Sequence, residues 1–191
     1  MPRTLSMFLA LRSVLLSVVA VLLVAALPAR ADDTAYNKGV QAFRAKDFAE
    51  ARRLWAQSIA EGGPDEAFNN LGFLLFSGKG GEADHDRAVA LWRKGAALSV
   101  SESQFHLGHA YEDGTGVEQD RVRALAWYLC ALATAQRARA NDSLEQSIAK
   151  HAQESETSLR RELSSDELKN ARRLAEQLIA RYSQRLDPAK P

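Results

Sequence analysis

The chain has 191 residues, 26% charged and 46% hydrophobic, with a formal net charge of +1, which excludes a disordered or fibrous protein and leaves enough chain for a core. The near-neutral balance excludes a strongly basic nucleic-acid binder. One cysteine excludes an internal disulfide framework.

Residues 1–31 hold no acidic residue, and Arg3 and Arg12 stand ahead of an apolar run, 14–27, broken by Ser17 alone. As a helix the run spans about 21 Å, short of the ~30 Å hydrocarbon core, so it reads as the apolar region of a secretory signal peptide. Ala29 and Ala31 supply small residues for cleavage after Ala31, leaving Asp32 as the new N-terminus. No cysteine stands there to accept a lipid. An uncleaved anchor is the alternative, because residues 7–11 add a second apolar stretch. Loss of Arg3, Arg12 and Arg30 takes 25 basic residues to 22 against 24 acidic ones, a mature net charge of −2. The expected location is periplasmic or secreted.

Helices are expected at 33–44 and 48–60, joined by Ala45-Lys46-Asp47 and ended by Gly62-Gly63-Pro64. The next is expected at 65–77, broken by Gly78-Lys79-Gly80-Gly81. Its partner starts near Asp84 or Asp86, where a carboxylate caps free N–H groups. A third pair is expected at 102–112 and 120–135 across Gly114-Thr115-Gly116-Val117. The second and third pairs repeat at an offset of 36: Leu71-Gly72 with Leu107-Gly108, Gly78 and Gly80 with Gly114 and Gly116, Asp84 with Asp120, Arg87-Ala88 with Arg123-Ala124, and Trp92 with Tyr128. Ala88, Ala96, Ala124 and Ala131 are small where helix axes cross, and Trp92, Trp127 and Tyr128 fill wider gaps. Beyond 135 a capping box, Asp142 to Glu145, opens a polar helix to about residue 159 with a thin stripe of Leu144, Ile148 and Leu159. A second box, Ser164 to Glu167, opens a helix with Leu168, Ala171, Leu174, Ala175, Leu178, Ile179 and Tyr182 on one side. This pair is expected to cap the apolar end of the array, with 187–191 a frayed tail.

The string from Ser103 through Gly108, Tyr111, Gly114 and Gly116 to Val117 resembles the first half of a Sel-1-like repeat, and Asp120-Arg121-Val122-Arg123-Ala124-Leu125-Ala126-Trp127-Tyr128 resembles the second. The unit before it departs at Gly81, where valine is usual, and at Leu91-Trp92, where a tryptophan-tyrosine pair is usual. The first unit looks more like the related tetratricopeptide repeat. The resemblance implies an all-α fold: a short α-solenoid of antiparallel helix pairs with a C-terminal capping helical pair. Its parts would be a signal peptide at 1–31, a tetratricopeptide-like unit at 32–64, Sel-1-like units at 65–100 and 101–136, capping helices at 137–186 and a tail at 187–191.

Catalytic signatures are weak. His106 and His109, with Glu102, Glu112 and Asp113 nearby, allow a surface metal site geometrically, but they occupy the repeat slots of Asn70 and Phe73, so ordinary variation explains them and no metal is expected. His85 and His151 stand alone. The loop at 78–81 lacks P-loop spacing and a preceding strand, so its glycines read as turn residues. Cys130 has no recognisable base partner and reads as a packed thiol, with an intermolecular disulfide as the redox alternative. No cofactor is expected. Some secreted Sel-1-like proteins are cysteine-rich and associated with penicillin binding and hydrolysis, but this chain lacks their paired cysteines.

In stacked pairs the first helices line one face. By analogy with tetratricopeptide geometry the inward side chains are Tyr36, Val40, Phe43 and Arg44, then Asn69, Phe73 and Phe76, then Phe105, His109, Glu112 and Asp113. The aromatics suit a peptide groove, although Phe43, Phe73 and Phe76 can equally pack between neighbouring helices. The resemblance implies a non-catalytic interaction scaffold or adaptor for a protein or peptide partner in the cell envelope, including regulatory roles. The competing reading is a cell-wall-active hydrolase or peptidoglycan-binding protein.

Overall fold

The computed structural model describes residues 34–138 and 142–182. The expected signal segment and tail lie outside the described residues. A unit beginning at Ala35 carries eight described helices: α1 (Ala35–Arg44), α2 (Phe48–Ala60), α3 (Glu66–Phe76), α4 (His85–Ala97), α5 (Ser101–Asp113), α6 (Arg121–Arg137), α7 (Ser143–Glu162) and α8 (Ser165–Tyr182). The fold is all-α, with helical pairs packed in a row.

One device starts the second helix of each of the first three pairs. Asp47, Asp84 and Asp120 each accept a hydrogen bond from the backbone N–H three residues on, at 3.1, 3.0 and 2.9 Å from Glu50, Arg87 and Arg123. The carboxylate satisfies a donor that the helix itself cannot, so Asp84 rather than Asp86 begins α4. In the short first turn Lys46 takes the left-handed conformation (φ 63°), which Gly78 and Gly114 supply in the longer loops.

Within a pair the two helices close on a glycine. A Cβ on Gly72 would lie 2.5 Å from the Trp92 indole nitrogen, and Gly39 and Gly108 stand in the same relation to Trp55 and Tyr128. Between pairs, a loop glycine seats on the start of the preceding second helix. Gly80 approaches the backbone of Phe48, and Gly116 that of His85, too closely for any side chain. Arg52 of α2 ties the first junction by donating to the carbonyls of Lys79 (2.7 Å), Leu74 (2.8 Å) and Glu82 (3.0 Å).

Trp92, Leu107, Leu125 and Tyr128 sit in one buried core that runs through the row. Its end is closed differently from the repeats: α7 and α8 each pack along α6 rather than chiefly on each other. Trp127 stacks on Tyr182 (ring centroids 6.1 Å apart), and Ser99 donates to the Tyr182 carbonyl at 2.9 Å. The α7 stripe is shifted from expectation. Leu144 is half exposed, whereas Ile148, Ala152, Glu156 and Leu159 are buried. Glu156 keeps an Arg160 partner at 3.1 Å. The Ser164–Glu167 box closes in both directions. At Asp142 the aspartate's half is formed, accepting from Leu144 and Glu145.

Candidate functional site

A groove of about 440 Å³ crosses the first helices of all three pairs. Val40, Phe43 and Arg44 face it from α1, Asn69, Asn70 and Phe73 from α3, and Glu102 and His106 from α5, with Trp55 of α2 at its floor. The wall is a run of rings. Phe43 lies 5.6 Å from Trp55 and 6.4 Å from Phe73, and Phe73 lies 6.2 Å from His106. His106 in turn stacks on Trp92 at 4.8 Å, nearly parallel.

Burial sets the charge states. It pushes the Glu102 carboxyl up to about 7, helped by the negative charges of Glu145, Glu66 and Asp142. It pushes His106 down to about 4, with a smaller push from His109, so the imidazole in the wall is neutral near pH 7. Asn69 is 4% exposed, and its side-chain oxygen has no hydrogen-bond partner. Asn70 donates to the Tyr36 hydroxyl at 3.5 Å.

Of the residues expected to face inward, Val40, Phe43, Arg44, Asn69 and Phe73 line this groove. Tyr36 reaches its edge through Asn70. Phe76 turns the other way, onto Trp92 and His85 at 5.0 and 4.8 Å. Phe105 and His109 pack with Tyr128, Phe105 also lies 5.9 Å from His106, and His151 of α7 stands 6.3 Å from Phe105. Glu112 accepts the Tyr128 hydroxyl, and Asp113 is exposed at the end of α5. Carrying Asn69 and Phe73 forward by the repeat offset selects Phe105 and His109, but α7 packs beside that part of α5. The groove instead meets Glu102 and His106, one turn apart. Trp55, Asn70, Glu102 and His106 are thus lining residues outside the expected set; Asn70 and His106 share one repeat slot, and that slot, with Glu102 one turn before His106, was the available signal.

His106 stacks on Trp92 and His109 meets Tyr128 edge-on, and among the described residues no three His, Cys, Asp or Glu side chains gather as a metal site. Cys130 is 1% exposed, and burial pushes its thiol up to about 12, so the intermolecular disulfide offered as an alternative is blocked by the fold. Among the described residues no helix is long and apolar enough to cross a membrane.

Glycine-seated helix hairpins, repeated in a row and closed by two helices along the last one, define an α-solenoid. The Sel1 repeat model matches residues 66–100 and 101–133, so the chain carries two Sel1 repeats. It is similar to c5321, a protective antigen present in uropathogenic Escherichia coli strains displaying an SLR fold, at 29% identity and a TM-score of 0.67, over 82% of this chain and 32% of that one. It therefore spans about a third of that relative. A Sel1 repeat protein from Oxalobacter formigenes is similar at 22% identity and a TM-score of 0.48, over 66% of this chain and 56% of the other. No curated protein matches the chain.

Proposed function

We propose that the chain is an exported, non-catalytic interaction module that holds a segment of another envelope protein in the groove across α1, α3 and α5. The observation that carries this reading is the groove itself: aromatic rings from successive repeats form one wall that leaves an opening of about 440 Å³ unfilled. Large rigid rings at an open surface supply contact area at low entropic cost. The charge pattern and small residues of 1–31 support export, with the mature chain starting at Asp32 in the periplasm or outside the cell. An adaptor or regulatory role in the envelope follows from holding a partner without acting on it.

The test is co-purification from envelope extracts with the wild-type chain and with Val40→Glu, which places a carboxylate in the groove. Loss of a defined partner, with helicity retained by circular dichroism, is the expected result; unchanged recovery refutes the groove. N-terminal sequencing of the exported form should begin at Asp32. Purified protein should turn over neither peptidoglycan nor a chromogenic β-lactam.

A further inference from the structure

The groove carries an uncompensated acid at one end. Glu102 stands in the first turn of α5, and among the described residues nothing donates a hydrogen bond to its carboxylate. The charged groups that act on it are Glu66 of α3, Glu145 of α7 and Asp142, which caps α7, all of its own sign. Arg44, the cation of the lining, belongs to α1, with α3 between it and α5. A half-buried carboxylate among carboxylates gains more from an incoming cation than from any neutral group. A second observation points the same way. Asn69 lines the groove almost fully buried, with its side-chain oxygen unpaired, an acceptor that an incoming N–H can fill; the Trp55 indole N–H of the lining is unpaired as well. The ring wall suits the rest of such a side chain: Lys79 already sits 4.8 Å over the Phe73 ring, and the methylene stem of a long basic residue packs on the apolar surface that remains.

We infer that the groove recognises a partner-protein segment that lays an apolar stretch against Phe43 and Phe73 and sets one lysine or arginine side chain against Glu102. The inference rests on the groove being the docking site. The opening spans three helices, which suits a length of chain rather than an isolated ammonium. Arg44 at the far end disfavours a second basic residue there, so the recognised segment carries one cation at one position and not a polybasic run.

Randomised, end-capped heptapeptides selected on the purified chain test this directly. Selected peptides should carry lysine or arginine at one fixed position between apolar residues. Replacing that lysine by norleucine should weaken binding at least about tenfold, the scale of one charge-assisted contact, and less than about twofold on Glu102→Gln. Phe73→Ser and Val40→Glu, each checked by circular dichroism, should abolish binding of the same peptides. Peptides lost with those variants but showing no basic preference, or indifferent to norleucine, overturn the Glu102 assignment and leave the groove standing. Peptides unaffected by both variants, or no groove-dependent peptide at all, overturn the two readings together.

Discussion

Gly72 of α3 lies flat against the indole of Trp92 of α4, and a methyl group on that glycine would fall 2.5 Å from Nε1. The indole N–H donates to the Asn69 carbonyl at 3.4 Å, so α3 holds this edge of the ring with both a hydrogen bond and bare backbone. In an exposed helix, alanine would be preferred to glycine by about 1 kcal/mol. Here the overpacking cost of about 1–3 kcal/mol opposes and exceeds that gain. Gly72→Ala should therefore lower the urea midpoint without changing its slope. The loss should shrink in a Trp92→Leu background, where the ring edge is gone, which a double-mutant cycle reads as coupling.

Arg52 makes a different kind of junction. Its guanidinium donates to carbonyls of the 78–82 loop and to Leu74 near the C-terminal end of α3, where the helix dipole is negative. Lysine has the charge but not the planar fork. Arg52→Lys should cost about 1–2 kcal/mol, the scale of one or two lost charge-assisted bonds at a partly exposed site. Faster amide exchange confined to the 78–82 loop would locate the loss. Exchange that rises equally throughout the unit would contradict a local tie.

These two junctions show which parts of the fold were legible in the sequence. The glycine, aspartate and aromatic spacing encodes contacts inside one hairpin, Gly72 to Trp92 and Asp84 to the Arg87 amide, and short-range contacts leave a fixed offset to read. The groove lining depends on something else, namely what covers each helix from outside the repeat. Phe105 and His109 occupy the slots of Asn69 and Phe73, yet they pack with Tyr128 beside His151 of α7, a helix with no repeat counterpart. Leu144 fails as a stripe residue for the same reason: α7, which packs along α6, buries Ile148, Ala152 and Leu159, while Leu144 stays half exposed. Periodicity gives the units; the closing helices decide which faces remain open.

Cys130 offers a clean probe of the core. Its thiol is 1% exposed, with burial raising its pKa to about 12, so almost no thiolate exists near neutral pH and little can reach it. Native protein should react with a disulfide reagent only as fast as it unfolds, and the same reagent in denaturant should titrate one thiol per chain at once. Rapid native labelling would mean that α6 is not covered by α7 and α8.

Glu102 and His106 set opposing pH dependences within one groove. Glu102 is raised from 4.5 to about 7, first by burial and then by its acidic neighbours, so between those values the folded chain holds a proton that the unfolded chain has lost. Stability from this group therefore falls as pH rises through that window. His106 is lowered from 6.5 to about 4, first by burial and then by His109, so between those values the unfolded chain holds the extra proton, and stability rises with pH. The two slopes cancel between about 4.5 and 6.5 in the wild type. Glu102→Gln should unmask the rising limb and gain up to about 3 kcal/mol over wild type near pH 8, since one pKa unit is worth about 1.4 kcal/mol. His106→Phe, which keeps a ring on Trp92, should unmask the falling limb. Denaturant midpoints for the three proteins across about pH 4–8 check both signs at once, and three parallel profiles would show that neither group is held by burial. The same titration governs the groove: above about 7 the carboxylate is charged, so a basic segment set against Glu102 should bind more tightly as pH rises through that value, and Glu102→Gln should flatten the dependence.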